Sequence, residues 1–163
     1  MVKIKDNTQK IKNIFKNNYK TKAGILGGIS DKGITTAYIG LIQEFGSIIN
    51  NIPPRSFIIE PLKKYFIVEF EKHKELIKEY IKKGDIKRVY EIAGIVMEQI
   101  IIESFNKKEG WKPNSPITIQ GGWMKNKVNG KVFYVKGKGV NNPLINTGTL
   151  RKSIKHEIIK NDN

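Results

Sequence analysis

His73 and His156 are the only imidazoles in this 163-residue chain, which has no cysteine. Acid–base catalysis or zinc coordination would have to begin from them. Neither has a second ligand at zinc spacing. His73 falls on the apolar stripe of a helical segment, where an imidazole is a core or boundary residue, and His156 stands beside Glu157 in a basic tail. Glu69, Glu71, Glu75 and Glu79 alternate with lysines at helical spacing, the pattern of a solvated helix face rather than of a paired acid and base. Lys136-Gly-Lys-Gly139 has the composition of a phosphate cradle, yet neither the P-loop spacing nor the dinucleotide fingerprint accompanies it, and it reads as a flexible hairpin tip. No serine nucleophile elbow is present. The sequence therefore reads as non-enzymatic, with no catalytic residues, no metal site and no cofactor expected.

The formal net charge is +15. Residues 1–22 hold seven lysines against Asp6, and residues 107–139 hold eight against Glu109, while residues 60–105 balance at nine and nine. Two basic segments could thus make an anion-facing surface. Only Arg55, Arg88 and Arg151 among the 30 basic residues are arginine. Lysine attracts phosphate but lacks the forked geometry that reads base edges, so sequence-specific DNA recognition is poorly supported. Trp123, Phe133 and Tyr134 are interleaved with Lys125, Lys127, Lys131 and Lys136. Such a pattern either stacks aromatics on bases or turns alternate aromatics toward a core. The second reading is preferred because no nucleic-acid-binding signature accompanies it, and weak, non-specific DNA contact stays open.

Absence of cysteine removes disulfides and thiolate chemistry, and cytoplasmic synthesis is the simpler expectation. Met1 to Lys22 has no apolar stretch of signal-peptide length, and Glu91, Glu98 and Glu103 interrupt the most apolar segment, so a soluble protein without membrane contact is expected.

Periodicity places the elements. An amphipathic helix is expected around Gln9 to Asn17, a strand over Ala23 to Ile29, and a turn at Ser30-Asp-Lys-Gly33. Tyr38, Leu41, Ile42 and Phe45 recur at helical spacing between a Thr35 or Thr36 cap and Gly46, although a strand is the alternative there. Leu62, Phe66, Phe70, His73, Ile77 and Tyr80 form one stripe, predicting a single helix over residues 61–82 with Pro61 in its first turn and Gly84 as its stop. Asp85 caps a second helix to Phe105, whose buried face is Ile86, Val89, Tyr90, Ala93, Val96, Met97, Ile100 and Ile101. Asn129-Gly130 predicts a two-residue hairpin turn between Trp123–Val128 and Lys131–Val135. Thr147 or Thr149 caps a turn into Leu150, Ile154, Ile158 and Ile159, either a strand or a short helix. The fold class is α+β: an antiparallel sheet packed against two long helices, with a lysine-rich β-hairpin, in a domain over residues 23–160 behind a basic segment over residues 1–22.

Two separated motifs then stand out. The first runs from Ala37-Tyr38 through Glu44-Phe45-Gly46 to Ile52-Pro-Pro-Arg-Ser-Phe57. The second runs from Trp111-Lys-Pro113 through Thr118 to Pro143-Leu-Ile-Asn-Thr-Gly148 and Leu150-Arg-Lys-Ser-Ile154. Together they resemble the phage virion morphogenesis proteins, small neck and tail-completion proteins whose pattern is an apolar helix, a Phe-Gly and a Pro-x-Arg-x-Phe loop before a long helix, then Trp-x-Pro, Thr and Leu-Ile-x-Thr-Gly-x-Leu-x-x-Ser. The chain departs from that pattern in residues 121–142 and in its lysine-rich amino terminus.

The resemblance implies a structural protein of phage tail completion or head-to-tail joining. Its implied partners are copies of itself in a ring and other tail or neck proteins, and its place is a virion or phage-like particle assembled in the host cytoplasm. A basic nucleic-acid-binding protein is the alternative. Candidate interaction residues are Pro53, Pro54 and Arg55, with Lys125, Lys127, Lys131 and Lys136 of the hairpin. Pro53 and Pro54 would hold a docking loop in one shape with Arg55 as forked donor, or Arg55 would instead cap a carbonyl in a buried turn. Phe57 reads as core, as do Leu144, Ile145 and Leu150.

Overall fold

Asp85 begins the helix that organises the fold. In the computed structural model, which describes residues 19–29, 33–126, 128–144 and 148–160, its carboxylate accepts the Arg88 N–H at 3.4 Å. The expected helix at Gln9 to Asn17, most of the Ser30–Gly33 turn, Lys127, Ile145 and Thr147 lie outside the described residues.

The first described element is strand β1, Tyr19–Ile25, and it pairs antiparallel with the last, β4, Ile154–Lys160, from Tyr19↔Lys160 to Ile25↔Ile154. Residues 19–22 of the basic segment therefore belong to the sheet, and the strand lies earlier than Ala23–Ile29. Between them follow α1 (Thr36–Phe45), α2 (Ile59–Glu71), α3 (Lys74–Lys83), α4 (Ile86–Lys107), the short α5 (Pro116–Gln120), the hairpin strands β2 (Gly121–Lys125) and β3 (Val132–Lys136), and α6 (Thr149–Lys152). Helices with two small antiparallel ladders make the fold α+β. No described helix is long and apolar enough to cross a membrane.

Helix α4 lies against the β1–β4 ladder on one side and α2 on the other. Its close approach to the ladder needs Gly94, where an added Cβ would stand 2.6 Å from His156 Cδ2 and 3.1 Å from Thr21 Cγ2. Two polar links cross the same seam. Thr21 Oγ1 donates to the Tyr90 carbonyl at 2.9 Å, and His156 Nδ1 pairs with Glu98 Oε2. His156 of the basic tail is thus a strand residue facing α4. The predicted buried face of α4 holds, with Ile86, Val96, Ile100 and Ile101 buried and Val89, Tyr90, Ala93 and Met97 half-buried. Phe105 continues it into a core of Phe57, Ile101, Leu150 and Ile154, where Phe105 meets Phe57 and Trp111 edge-on at 5.2 and 5.6 Å.

The helix predicted over residues 61–82 is two. Between α2 and α3 the His73 N–H bonds the Phe70 carbonyl, tightening the turn, and Glu71 to Leu76 are all exposed. Five polar residues, Glu71-Lys-His-Lys-Glu75, leave this turn no apolar side chain to hold it against α4. His73 is consequently an exposed capping-position residue and not part of the packed stripe. Pro61 does sit in the first turn of α2, and Gly84 ends α3 with a φ of 76°. At the carboxyl side, both readings of residues 150–159 occur in succession: one helical turn, α6, and then β4. Gly148 precedes α6 with a φ of 75°, so Thr149 is its first residue and not its cap.

Candidate interaction site

Helix α1 sits inside out. Thr35 caps it by accepting the Tyr38 N–H, and Gly46 closes it with a φ of 77°. Its buried residues are Thr36, Gly40 and Glu44, while most of the apolar stripe that identifies it as a helix faces solvent: Tyr38 is 57% and Phe45 63% exposed, Leu41 is exposed beside them, and Ile42 is half-buried. Ile48 and Ile49 in the following loop are exposed as well, Ile48 at 96%.

Glu44 explains the inversion. The segment 56–59 enters α2 with no side-chain cap of its own at Ile58. Glu44 Oε2 accepts the N–H groups of Phe57 and Ile58 at 2.8 and 3.0 Å, and Oε1 accepts those of Ile59 at 3.0 Å and the Ser56 hydroxyl at 2.5 Å. A carboxylate at the start of a helix satisfies free amides and the positive end of the dipole together. Gly40 allows the approach: an added Cβ would lie 2.1 Å from Ile25 Cδ1. With that face committed to Glu44 and Gly40, the apolar stripe on the other side points away from the core.

The two sequence motifs meet here. Arg55 is 6% exposed, and its Nε and Nη2 donate to the carbonyls of Lys112 and Pro113 at 2.8 and 3.0 Å. Trp111 Nε1 returns a bond to the Ser56 carbonyl at 3.0 Å. The docking-loop reading of Arg55 is corrected by this geometry: it is a buried carbonyl cap, and burial lowers its pKa from the ordinary value. Pro53 is half-buried and Pro54 exposed, on a loop held by the Ser47–Ile52 bridge and by the Arg55 N–H on the Gln43 carbonyl at 2.8 Å. Phe57 is buried as read, with Ser104 Oγ donating to its carbonyl at 3.0 Å.

The hairpin forms, with a wider turn than expected. Lys125 pairs with Val132, and the Asn126 N–H reaches the Lys131 carbonyl at 2.8 Å, leaving four residues between them. Asn126 Oδ1 accepts the N–H groups of Val128 and Asn129 at 2.8 and 3.2 Å, and this side-chain turn displaces the two-residue one. Nor do the aromatics face a core. Trp123 is 72% exposed and packs edge-on against its cross-strand partner Tyr134 at 5.4 Å, with Lys125, Val132 and Lys136 on the same face. Lys131 is exposed at the turn, and Lys127 lies outside the described residues. Among the described residues no carboxylate forms a salt bridge to Lys125, Lys131 or Lys136.

Lys136-Gly-Lys-Gly139, read as a flexible tip, is the fixed base of this hairpin. Lys138 and Gly139 donate their N–H groups to the carbonyls of Thr118 and Ile119 at 3.0 and 2.9 Å. Gly137 allows that contact, since an added Cβ would stand 2.4 Å from the Gln120 carbonyl carbon. The hairpin's inner residues Met124 and Val135 then overhang a cleft of about 560 Å³ that reaches Arg55, Asn114, Thr118 and Lys138.

Sequence reasoning does not single out Asn114, names Lys138 only within a segment read as a flexible hairpin tip, and names Glu44 only as part of the first motif. The signal for Glu44 was a single carboxylate in the otherwise uncharged run Ala37 to Phe45. No cluster of three or more potential metal ligands occurs among the described residues. No family model, curated protein or solved structure matches the chain.

Proposed function

We propose that this protein is a structural virion-assembly subunit, acting in phage tail completion or head-to-tail joining, self-associating into a ring and contacting other tail or neck proteins. The outward apolar face of α1 carries the reading. Tyr38, Leu41 and Phe45 are exposed along one helix face, with Ile48 and Ile49 exposed in the loop that follows, and exposed apolar surface of this kind marks a protein–protein contact. The buried side of the same helix is fixed by Glu44 and Gly40, so the exposed face cannot be hidden by rotating the helix. The resemblance to the morphogenesis proteins gains physical sense as well, because its two motif halves are one hydrogen-bonded unit through Arg55 and Trp111. In this reading the chain performs no catalysis and is placed in the virion or a phage-like particle.

Sedimentation of the wild-type chain and of Leu41→Lys with Phe45→Lys tests it. The wild type is expected to self-associate and the double variant to sediment as monomer. A monomeric wild type, together with normally joined tails in particles lacking the protein, would overturn the proposal.

The exposed Trp123–Tyr134 pair between Lys125 and Lys136 favours a second reading, a nucleic-acid-binding protein. It requires salt-sensitive DNA binding that disappears when Lys125, Lys127, Lys131 and Lys136 are neutralised.

A further inference from the structure

We propose that the cleft beneath the hairpin is a phosphate-binding site, with Arg55, Asn114 and Lys138 as its donors. The proposal goes beyond the assembly reading and stands independently of it.

Three unmet demands converge on the cleft. Arg55 is buried, yet its hydrogen bonds run only to neutral acceptors: the Lys112 and Pro113 carbonyls, Gln43 Oε1 at 3.4 Å and Asn114 Oδ1 at 3.5 Å. These satisfy N–H groups without neutralising the charge, and no carboxylate among the described residues forms a salt bridge with it. A buried unpaired cation is costly. Lys138 lines the same cleft as an exposed residue at its edge, and partial burial, then repulsion from Arg55, lowers its pKa. Two cations therefore line one cleft, and residues 110–156, which supply Asn114 and Lys138, contain no Asp or Glu. The third demand is Asn114 Nδ2, a buried donor with no hydrogen-bond partner. Its carbonyl oxygen is directed at Arg55, which fixes the amide so that the NH2 group points elsewhere. Buried donors without partners are rare enough in folded proteins to indicate a missing acceptor.

A single oxyanion answers all three. Arg55, Asn114 and Lys138 come from three separate segments of the chain that line one cleft. A tetrahedral phosphate offers oxygens to several such donors, whereas a planar carboxylate matches a single fork. The cleft, about 560 Å³, lies in the range of small-molecule sites, roughly 300–1,000 Å³. Met124 and Val135 supply an apolar wall beside the cations, giving room for whatever the phosphate is attached to.

The test uses the full chain in thermal denaturation and calorimetric titration, with sodium phosphate against sodium chloride and sodium acetate at matched ionic strength. Phosphate is expected to raise the melting temperature above both controls. Lys138→Gln is expected to bind phosphate about tenfold more weakly, the loss of one charge-assisted hydrogen bond. Asn114→Asp should abolish the phosphate response and melt higher than wild type in phosphate-free buffer, because its carboxylate compensates Arg55 in place of the ligand. A nucleoside monophosphate arm distinguishes sources: tighter binding than inorganic phosphate identifies a nucleotide group, and equal binding identifies free phosphate. The proposal is overturned if phosphate acts no differently from chloride, if acetate matches it, or if both variants respond as wild type does.

Discussion

The protein contains two antiparallel ladders of similar construction in opposite surroundings. In β1–β4 one side rests on α4, Ile154 is in the core, and Thr21 and His156 carry polar links across the seam. In β2–β3 the strands are neighbours in sequence, and most side chains on both faces are open to solvent. An isolated two-stranded ribbon is marginal in water. The first ladder is stabilised by burial and the second by its base, where Lys138 and Gly139 bond to α5, and by the Trp123–Tyr134 pair. Hydrophobic and aromatic side chains thus serve internal cohesion in one ladder, and in the other they are held out on a fixed arm. Helix α1 repeats that division between its two faces.

Substitutions can break this contrast, beginning with the core. Phe57→Ala removes a fully buried ring touching Phe105 and should cost about 3–5 kcal/mol in chemical denaturation, unfolding β1–β4 with the rest. Glu44→Gln keeps the shape but replaces a charged acceptor of four donors, and a loss of about 2–3 kcal/mol is expected by the same measurement. Gly137→Ala should cost about 1–3 kcal/mol through backbone displacement at the hairpin base. Hydrogen exchange should then show lost protection in β2–β3 while β1–β4 stays protected; equal loss in both would show that the ladders are one cooperative unit. Trp123→Ala should lower stability by less than about 1 kcal/mol, confined to the hairpin in the same exchange experiment. Smallest of all, Leu41→Lys should change monomer stability by no more than about 0.5 kcal/mol, because the side chain lies outside the core.

Local signals were legible in the sequence. Asp85 and the apolar period located α4, Gly46 located the end of α1, Phe57 was read as core, and the hairpin's existence followed from its alternation and turn residues. What escaped depended on partners distant in sequence. The outward turn of the α1 stripe follows from Glu44 capping residues 57–59, and the burial of Arg55 follows from carbonyls at 112 and 113. Periodicity shows that a helix has two faces, but the commitment of one face to a polar task is set by tertiary contacts. The break at Lys72–His73 was written locally, in five successive polar residues, but one strong stripe on either side concealed it. Of the candidate contact residues, Lys125, Lys131 and Lys136 are exposed as a binding role requires, whereas Arg55 acts inside the fold.

The pairing of β1 with β4 also sets an order of events during synthesis. Roughly 130 residues separate the two strands, so this ladder closes one of the longest loops the chain can make. On the ribosome, α2, α3 and α4 can associate while β1 still has no partner, since β4 emerges last of the described elements. Until His156 arrives, the narrow strip of α4 around Gly94 has only half of its cover. Arrival of β4 is therefore the step that closes this ladder, and a nascent chain stopped before it would present that strip to chaperones and proteases.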